Sequence, residues 1–183
     1  MGKEQHGHMV KVGYDMYIRL LEEATKRLKG EKIAENRDVK LDIAISAKVP
    51  NDFVTDEAEK LRIYSKISNI DSIETQRQIV GELKNSYGKL PKEVLQLANV
   101  ALIKALAMKL TVKHITISKN NYSIVYYQEN FDVKKVLHLL PKFNKMSLLK
   151  SELPTIKLNV NEFSPETAQG YFIEFLSAQM SLI

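Results

Sequence analysis

The segment from Pro91 to Lys109 constrains the fold more than any other. Val94, Leu95, Leu97, Ala98, Val100, Ala101, Leu102, Ile103, Ala105, Leu106, Ala107 and Met108 would place apolar side chains almost all the way round a helix. Such a helix has no face that water can wet favourably, so other elements must cover it on every side. Pro91 suits its first turn, where a missing backbone N–H costs nothing. The apolar run is alanine-rich and shorter than the roughly 20 residues needed to cross a bilayer, so a buried central helix is expected rather than a membrane span. The cover is available. A chain of 183 residues with 44% apolar and 27% charged composition is an ordinary globular sequence, and at this size it should bury roughly 70% of its unfolded surface.

The remaining pattern predicts a mixed α+β architecture. Tyr14, Tyr17, Ile18, Leu21, Ala24 and Leu28 recur at helical spacing, and Gly30 ends that helix. A polar stretch from Glu31 to Asp38 reads as a linker. Val39, Leu41, Ile43 and Ile45 then alternate as a half-buried strand closed by Pro50. Two further helices precede the central one. Thr55 is the expected N-cap of the first, and Asp71 with Glu74 has capping-box spacing for the second, which Gly88 ends. After the central helix, Ile115 and Ile117 face Tyr122, Ile124 and Tyr126 across Asn120-Asn121, whose tolerance of positive φ suits a tight hairpin. Val133, Val136, Leu137 and Leu140 mark a short helix stopped by Pro141; Ile156, Leu158 and Val160 alternate as a strand. Ser164-Pro165-Glu166 opens a terminal helix carrying Tyr171, Phe172, Phe175, Leu176 and Met180. The expected fold is an N-terminal connecting helix followed by helices packed on a small, mainly antiparallel sheet.

No constellation of catalytic chemistry stands out. The sequence has no G-x-x-x-x-G-K-[ST] loop, no G-x-G-x-x-G, no G-x-S-x-G and no H-E-x-x-H. With no cysteine it has no disulfide, no thiolate zinc site and no cysteine nucleophile, and it suits a reducing cytoplasm. His6 and His8 could share a metal, but His114 and His138 fall in a predicted strand and helix without ligand spacing, so no metal site is expected. Asp56, Glu57 and Glu59 suit a helix N-terminus, and Glu22 and Glu23 suit ion pairs with Lys26 and Arg27. Neither acidic group needs a catalytic role.

Charge is unevenly spread. Of a net +5, almost all the excess lies between Lys104 and Lys150, where nine basic residues meet two acidic ones. Clustered lysines attract phosphate regardless of sequence, so an independent nucleic-acid-binding module with Tyr122, Tyr126 and Tyr127 as stacking groups is one reading. A solvated lysine face is the other, favoured by the absence of arginine from this stretch.

Several segments carry a resemblance. Gln5-His6-Gly7-His8-Met9-Val10-Lys11-Val12-Gly13-Tyr14-Asp15-Met16-Tyr17 leads into Leu20-Leu21-Glu22-Glu23-Ala24; Val49-Pro50-Asn51-Asp52-Phe53-Val54 forms a proline-aspartate-aromatic turn; Leu61-Arg62-Ile63-Tyr64-Ser65-Lys66-Ile67 is a tyrosine-bearing helix; and Glu82-Leu83-Lys84-Asn85-Ser86-Tyr87-Gly88-Lys89-Leu90-Pro91 follows. In order and spacing, over roughly the first 110 residues, these resemble the C-terminal part of the bacterial transcription-repair coupling factors, the Mfd family.

The resemblance implies a large ATP-driven translocase on double-stranded DNA that displaces stalled RNA polymerase and recruits UvrA. Residues 1–38 would then be the end of the translocation motif plus a connecting helix and linker, with Met1 falling inside the longer polypeptide. Residues 39–183 would be a C-terminal regulatory domain that masks the UvrA-binding module of the same chain. ATP and Mg would act upstream, with no cofactor bound and no catalytic residue carried here. Gln5 and Gly7 match the tail of the translocation motif, whereas His6 stands where serine is frequent. Glu82 matches a glutamate that faces the UvrA-binding module, and Asn85 stands where aspartate is usual, which removes one charge from that contact.

Overall fold

The computed structural model describes residues 39 to 182. The helix expected from Tyr14, the linker after it, and Gln5, His6, Gly7 and His8 lie outside the described residues. In chain order the elements are β1 (Lys40–Ala44), α1 (Glu57–Ser68), α2 (Ile73–Tyr87), α3 (Lys92–Lys109), β2 (Val112–Ser118), β3 (Tyr122–Tyr126), a 3-10 turn (Gln128–Asn130), α4 (Val133–Leu139), β4 (Met146–Leu149), β5 (Thr155–Leu158) and α5 (Pro165–Met180). The α+β class holds.

Helix α3 is central, but not covered on every side: Leu95, Ala101 and Ala105 are only partly buried, and Met108 is 41% exposed. Val94, Leu97, Ala98, Val100, Leu102, Ile103 and Ala107 are all but completely buried. The helix packs chiefly on α5, and also touches α1, α2 and β2. Pro91 directly precedes its first residue and accepts from the N–H groups of Val94 and Leu95 at 3.2 Å. At the far end Leu110 caps the helix, and Thr111 turns the chain into β2 with φ 54°, an uncommon conformation for a β-branched residue.

The five strands run in the order β1-β2-β3-β5-β4. Three of the pairings are antiparallel, while β1 and β2 are parallel, with Leu41 opposite Ile115 and Ile43 opposite Ile117. Adjacent parallel strands need a long crossover, and here α1, α2 and α3 supply it. Ile115, Ile117, Tyr122, Ile124, Ile156, Leu158 and Met146 turn one sheet face into the core. The alternate positions, including His114, Thr116, Ser123, Ser147 and Lys157, are partly or fully exposed on the other. Strand β4 has no counterpart among the predicted elements. Its four residues are too few to show a period, and it is defined by its ladder with β5.

Local signals shift by one residue at two helix starts. Asp56, not Thr55, caps α1, its carboxylate accepting from the N–H of Ala58 at 2.7 Å. The capping box of α2 is Ser72 with Thr75 rather than Asp71 with Glu74: Thr75 N–H donates to Ser72 Oγ at 3.1 Å and Ser72 N–H to Thr75 Oγ1 at 3.0 Å. Gly88 ends α2 with φ 75°, where a side chain would be strained. The β2–β3 hairpin forms without positive φ at Asn120 or Asn121. Ser118 closes it instead, its N–H donating to the Asn121 carbonyl at 2.8 Å and its hydroxyl accepting from the Asn121 N–H at 3.1 Å.

Truncating the middle of α3 tests whether the fold rests on it. Leu102 is fully buried, so Leu102→Ala should cost about 2–5 kcal/mol in urea unfolding through lost burial and a residual cavity. A loss of under about 0.5 kcal/mol, the range of ordinary surface changes, would contradict the central placement.

Candidate protein-contact surface

Helices α1 and α2 form an antiparallel hairpin joined by two polar rungs. At one end the Tyr87 hydroxyl donates to Glu59 Oε1, while Arg62 donates to Glu59 Oε2 at 2.9 Å. At the other, Lys66 Nζ donates to Glu82 Oε2 at 3.0 Å, and Gln78 Nε2 donates to Glu82 Oε1 at 3.1 Å. The 59–87 and 66–82 pairings are what antiparallel helices joined by a short turn produce. Inner residues Ile63, Ile67 and Leu83 are buried beneath. The Phe53 ring, from the turn after Pro50, lies 5.8 Å from that of Tyr87 and ties the turn to the hairpin.

Glu82 therefore sits at the surface but is already engaged on both oxygens. Its side chain is 44% exposed and that of Lys66 48%. The hydrogen bond from Lys66, then that from Gln78, then the Lys66 charge hold the Glu82 carboxyl below the ordinary glutamate value. Asn85 lies one turn further along α2 and is exposed, so Gln78, Glu82 and Asn85 follow one another along a helical face. On Tyr87 the bond to Glu59 and then burial push the phenol up. The Lys66 partner could not be inferred from the sequence, because it lies 16 residues away and meets Glu82 only once the hairpin closes.

The structure separates the other candidates. Tyr122 is buried with its ring edge-on to Phe172 at 5.6 Å, and burial pushes its phenol up to about 12. Tyr126 is buried and donates to Gln179 Oε1 at 2.7 Å. Two of the three proposed stacking groups therefore belong to the core, and Tyr127 lies under Lys113 Nζ, 5.8 Å from its ring centre. The lysines from 104 to 150 are spread over α3, β2, the hairpin turn, α4 and the segments flanking β4. Lys109 donates to the Asp71 carbonyl at 2.7 Å and Lys145 to Glu162 at 2.5 Å. His114 bonds Asp42 across β1 and β2 at 2.8 Å, and His138 is exposed on α4. Among the described residues no group of three or more histidine, cysteine or acidic side chains could hold a metal. None of the described helices is long and apolar enough to cross a membrane. A cleft of about 90 Å³ opens beside α4, well below the several hundred Å³ of ordinary small-molecule sites.

The family model named TRCF domain matches residues 43–136. The transcription-repair-coupling factor of Borreliella burgdorferi is 29% identical over 150 residues, which make up 81% of this chain and 13% of that protein. The Bacillus subtilis protein of the same name is 26% identical over 164 residues, covering 87% of this chain and 14% of its own length. That of Staphylococcus aureus is 31% identical over 127 residues, covering 68% and 11%. The chain thus spans only 11 to 14% of the length of these relatives. In fold it matches a crystal structure described as the C-terminal domain of transcription-repair coupling factor. The TM-score is 0.71 at 19% identity, over 81% of this chain and 97% of that one.

Acid should weaken the hairpin. A carboxyl with a depressed folded pKa contributes stability above its unfolded value and loses it as pH falls through the folded one. Glu82→Gln should therefore flatten the fall in Tm below the ordinary glutamate value of 4.5, by a small amount because the pair is solvent-screened. Identical slopes for variant and parent would show that the pairing does not form in solution.

Proposed function

The chain belongs to the TRCF domain family, and on that premise we propose that it is the C-terminal regulatory domain of a DNA translocase coupling transcription to nucleotide excision repair. In this proposal it masks the UvrA-binding module of the same polypeptide through the α1–α2 surface. Residues 39–183 would be the regulatory domain, and 1–38, with Gln5 and Gly7, the end of the translocation motif and its connecting helix. RNA polymerase, UvrA and double-stranded DNA would be partners of the whole protein, acting in the cytoplasm. The observation that supports this most is Glu82, a surface carboxylate held in a fixed position by Lys66 and Gln78 and followed by exposed Asn85.

ATP and Mg belong to the proposed whole protein. The described residues do not fit them: they carry no glycine-rich phosphate loop and no metal-holding cluster.

A masking contact has to open when a partner arrives, so it works best as a weak, polar interface that a few kcal/mol of differential affinity can shift. Lys66 suits that need. A cation on the masked module would have to share or displace Lys66 to reach Glu82, and the gain from docking is reduced by what the internal pair gives up. Asn85 keeps a hydrogen-bonding group but no charge. The α1–α2 surface can therefore hold a partner without trapping it.

Glu82→Lys in the full-length protein should raise UvrA binding, because it replaces an attraction with a repulsion. Lys66→Ala should lower UvrA binding by roughly two- to fivefold, the scale of one exposed ion pair, by freeing the carboxylate for the masking contact. Unchanged affinity of both variants in a quantitative pull-down would count against the assignment. The purified 183-residue chain should also hydrolyse no ATP with or without duplex DNA, and DNA-stimulated hydrolysis would remove the regulatory-domain reading.

A further inference from the structure

Helix α2 carries a glycine that nothing in the described domain requires. Gly81 lies in the middle of its 15 residues, where glycine is the poorest helix former after proline. A positive φ, or a close neighbour that a side chain would strike, is what ordinarily demands glycine at such a place. Gly81 has neither. Gly88 is the described glycine of α2 with positive φ, and a Cβ added at Gly81 would meet no described atom within 4 Å. Gln78, Gly81, Glu82 and Asn85 stand at i, i+3, i+4 and i+7, the four positions that bound one hole on a helix surface. Glu82 is fixed on one side of that hole by Lys66 and Gln78, and on the other side Gly81 leaves bare main chain. Gln78 and Asn85, at its two ends, are exposed.

We propose, resting on the masking role given above, that the main chain of the UvrA-binding module comes closest to α2 at Gly81. Side chains of ordinary size hold packed helices about 8–10 Å apart, and a residue with no Cβ lets a backbone come nearer. That nearness serves Glu82. An ion pair made at an exposed carboxylate is weak because water screens it. A main chain lying over Gly81 would shut water off from one side of the carboxylate and strengthen the pair. The element that seats here must itself carry small side chains at the crossing, with a cation beside them for Glu82. Glycine at position 81 weakens α2 in the free domain, and a contact made only in the longer polypeptide offsets that loss.

The test pairs thermal unfolding of the 183-residue chain with a quantitative UvrA pull-down by the full-length protein. Alanine and leucine have similar helix propensity, so Gly81→Ala and Gly81→Leu should each raise the Tm of the 183-residue chain by about 2–4 °C. In the full-length protein Gly81→Leu should raise UvrA binding roughly fivefold or more, as overfilling a packed contact does, and Gly81→Ala by less. Gly170, on α5, is equally open, with no described atom within 4 Å of an added Cβ. Gly170→Ala should raise Tm alike and leave UvrA binding unchanged. Glu82→Lys is the arm that reports on masking itself. If it raises UvrA binding while Gly81→Leu does not, seating at Gly81 is overturned and masking stands; if neither does, both fall. A lower Tm for Gly81→Ala, or UvrA binding raised as much by Gly170→Ala as by Gly81→Leu, would likewise overturn the proposal.

Discussion

Burial of most of α3 is the constraint on which the rest of this structure depends. Fully buried Leu97, Leu102 and Ile103 leave the helix no stable position at a surface. The chain resolves this by packing α5 along it, closing α1 and α2 over it, and placing the sheet beneath. The parallel pairing of β1 with β2 follows from the same requirement, since the three-helix crossover that carries α3 to the core also brings β2 back beside β1. Within the helical layer the packing is not wholly apolar. Gln76 donates to Asn99 and Asn99 to the buried Gln169, each at 2.8 Å, so a partly buried polar chain links α2, α3 and α5. Directional bonds of this kind fix how the helices sit against one another more sharply than apolar contact alone.

Because α3 takes the interior, α1 and α2 are left with one buried side and one wet side, and the wet side is where chemistry can be offered to a partner. Glu82 is held there by residues from both helices. Its availability is therefore a property of the hairpin rather than of α2 alone, and anything that separates the helices changes both the fixed carboxylate and the ammonium that competes for it. On the proposed reading, a contact made through this surface would be specific yet weak.

Much of the fold was legible because its strongest signals are periodic. The apolar run of α3, the Ser164-Pro165 start of α5 and the alternation of Ile115, Ile117, Tyr122, Ile124 and Tyr126 each survive in the structure. Where reading failed, a tertiary or reciprocal interaction decided. Asp71 has capping-box spacing to Glu74, but Thr75 selects Ser72 instead by bonding back to it. Strand β4 exists by virtue of β5, and the hairpin at Asn120 is closed by a serine hydroxyl rather than by an asparagine conformation. The tyrosines of β3 alternate in register with Ile124, which sends Tyr122 and Tyr126 inward and removes them as a nucleic-acid platform. Glu82 and Asn85 were found through family resemblance, whereas the pairing of Lys66 with Glu82 needed coordinates, since it depends on two helices meeting.

The claim that the α1–α2 surface is a masking contact is tested most directly by carbodiimide labelling of carboxylates in the 183-residue chain and in the full-length protein, read out by mass spectrometry. Glu82 should react several times more slowly in the full-length protein, while exposed Glu152, in the loop after β4, reacts equally in both. Equal labelling of Glu82 in the two proteins would contradict the account.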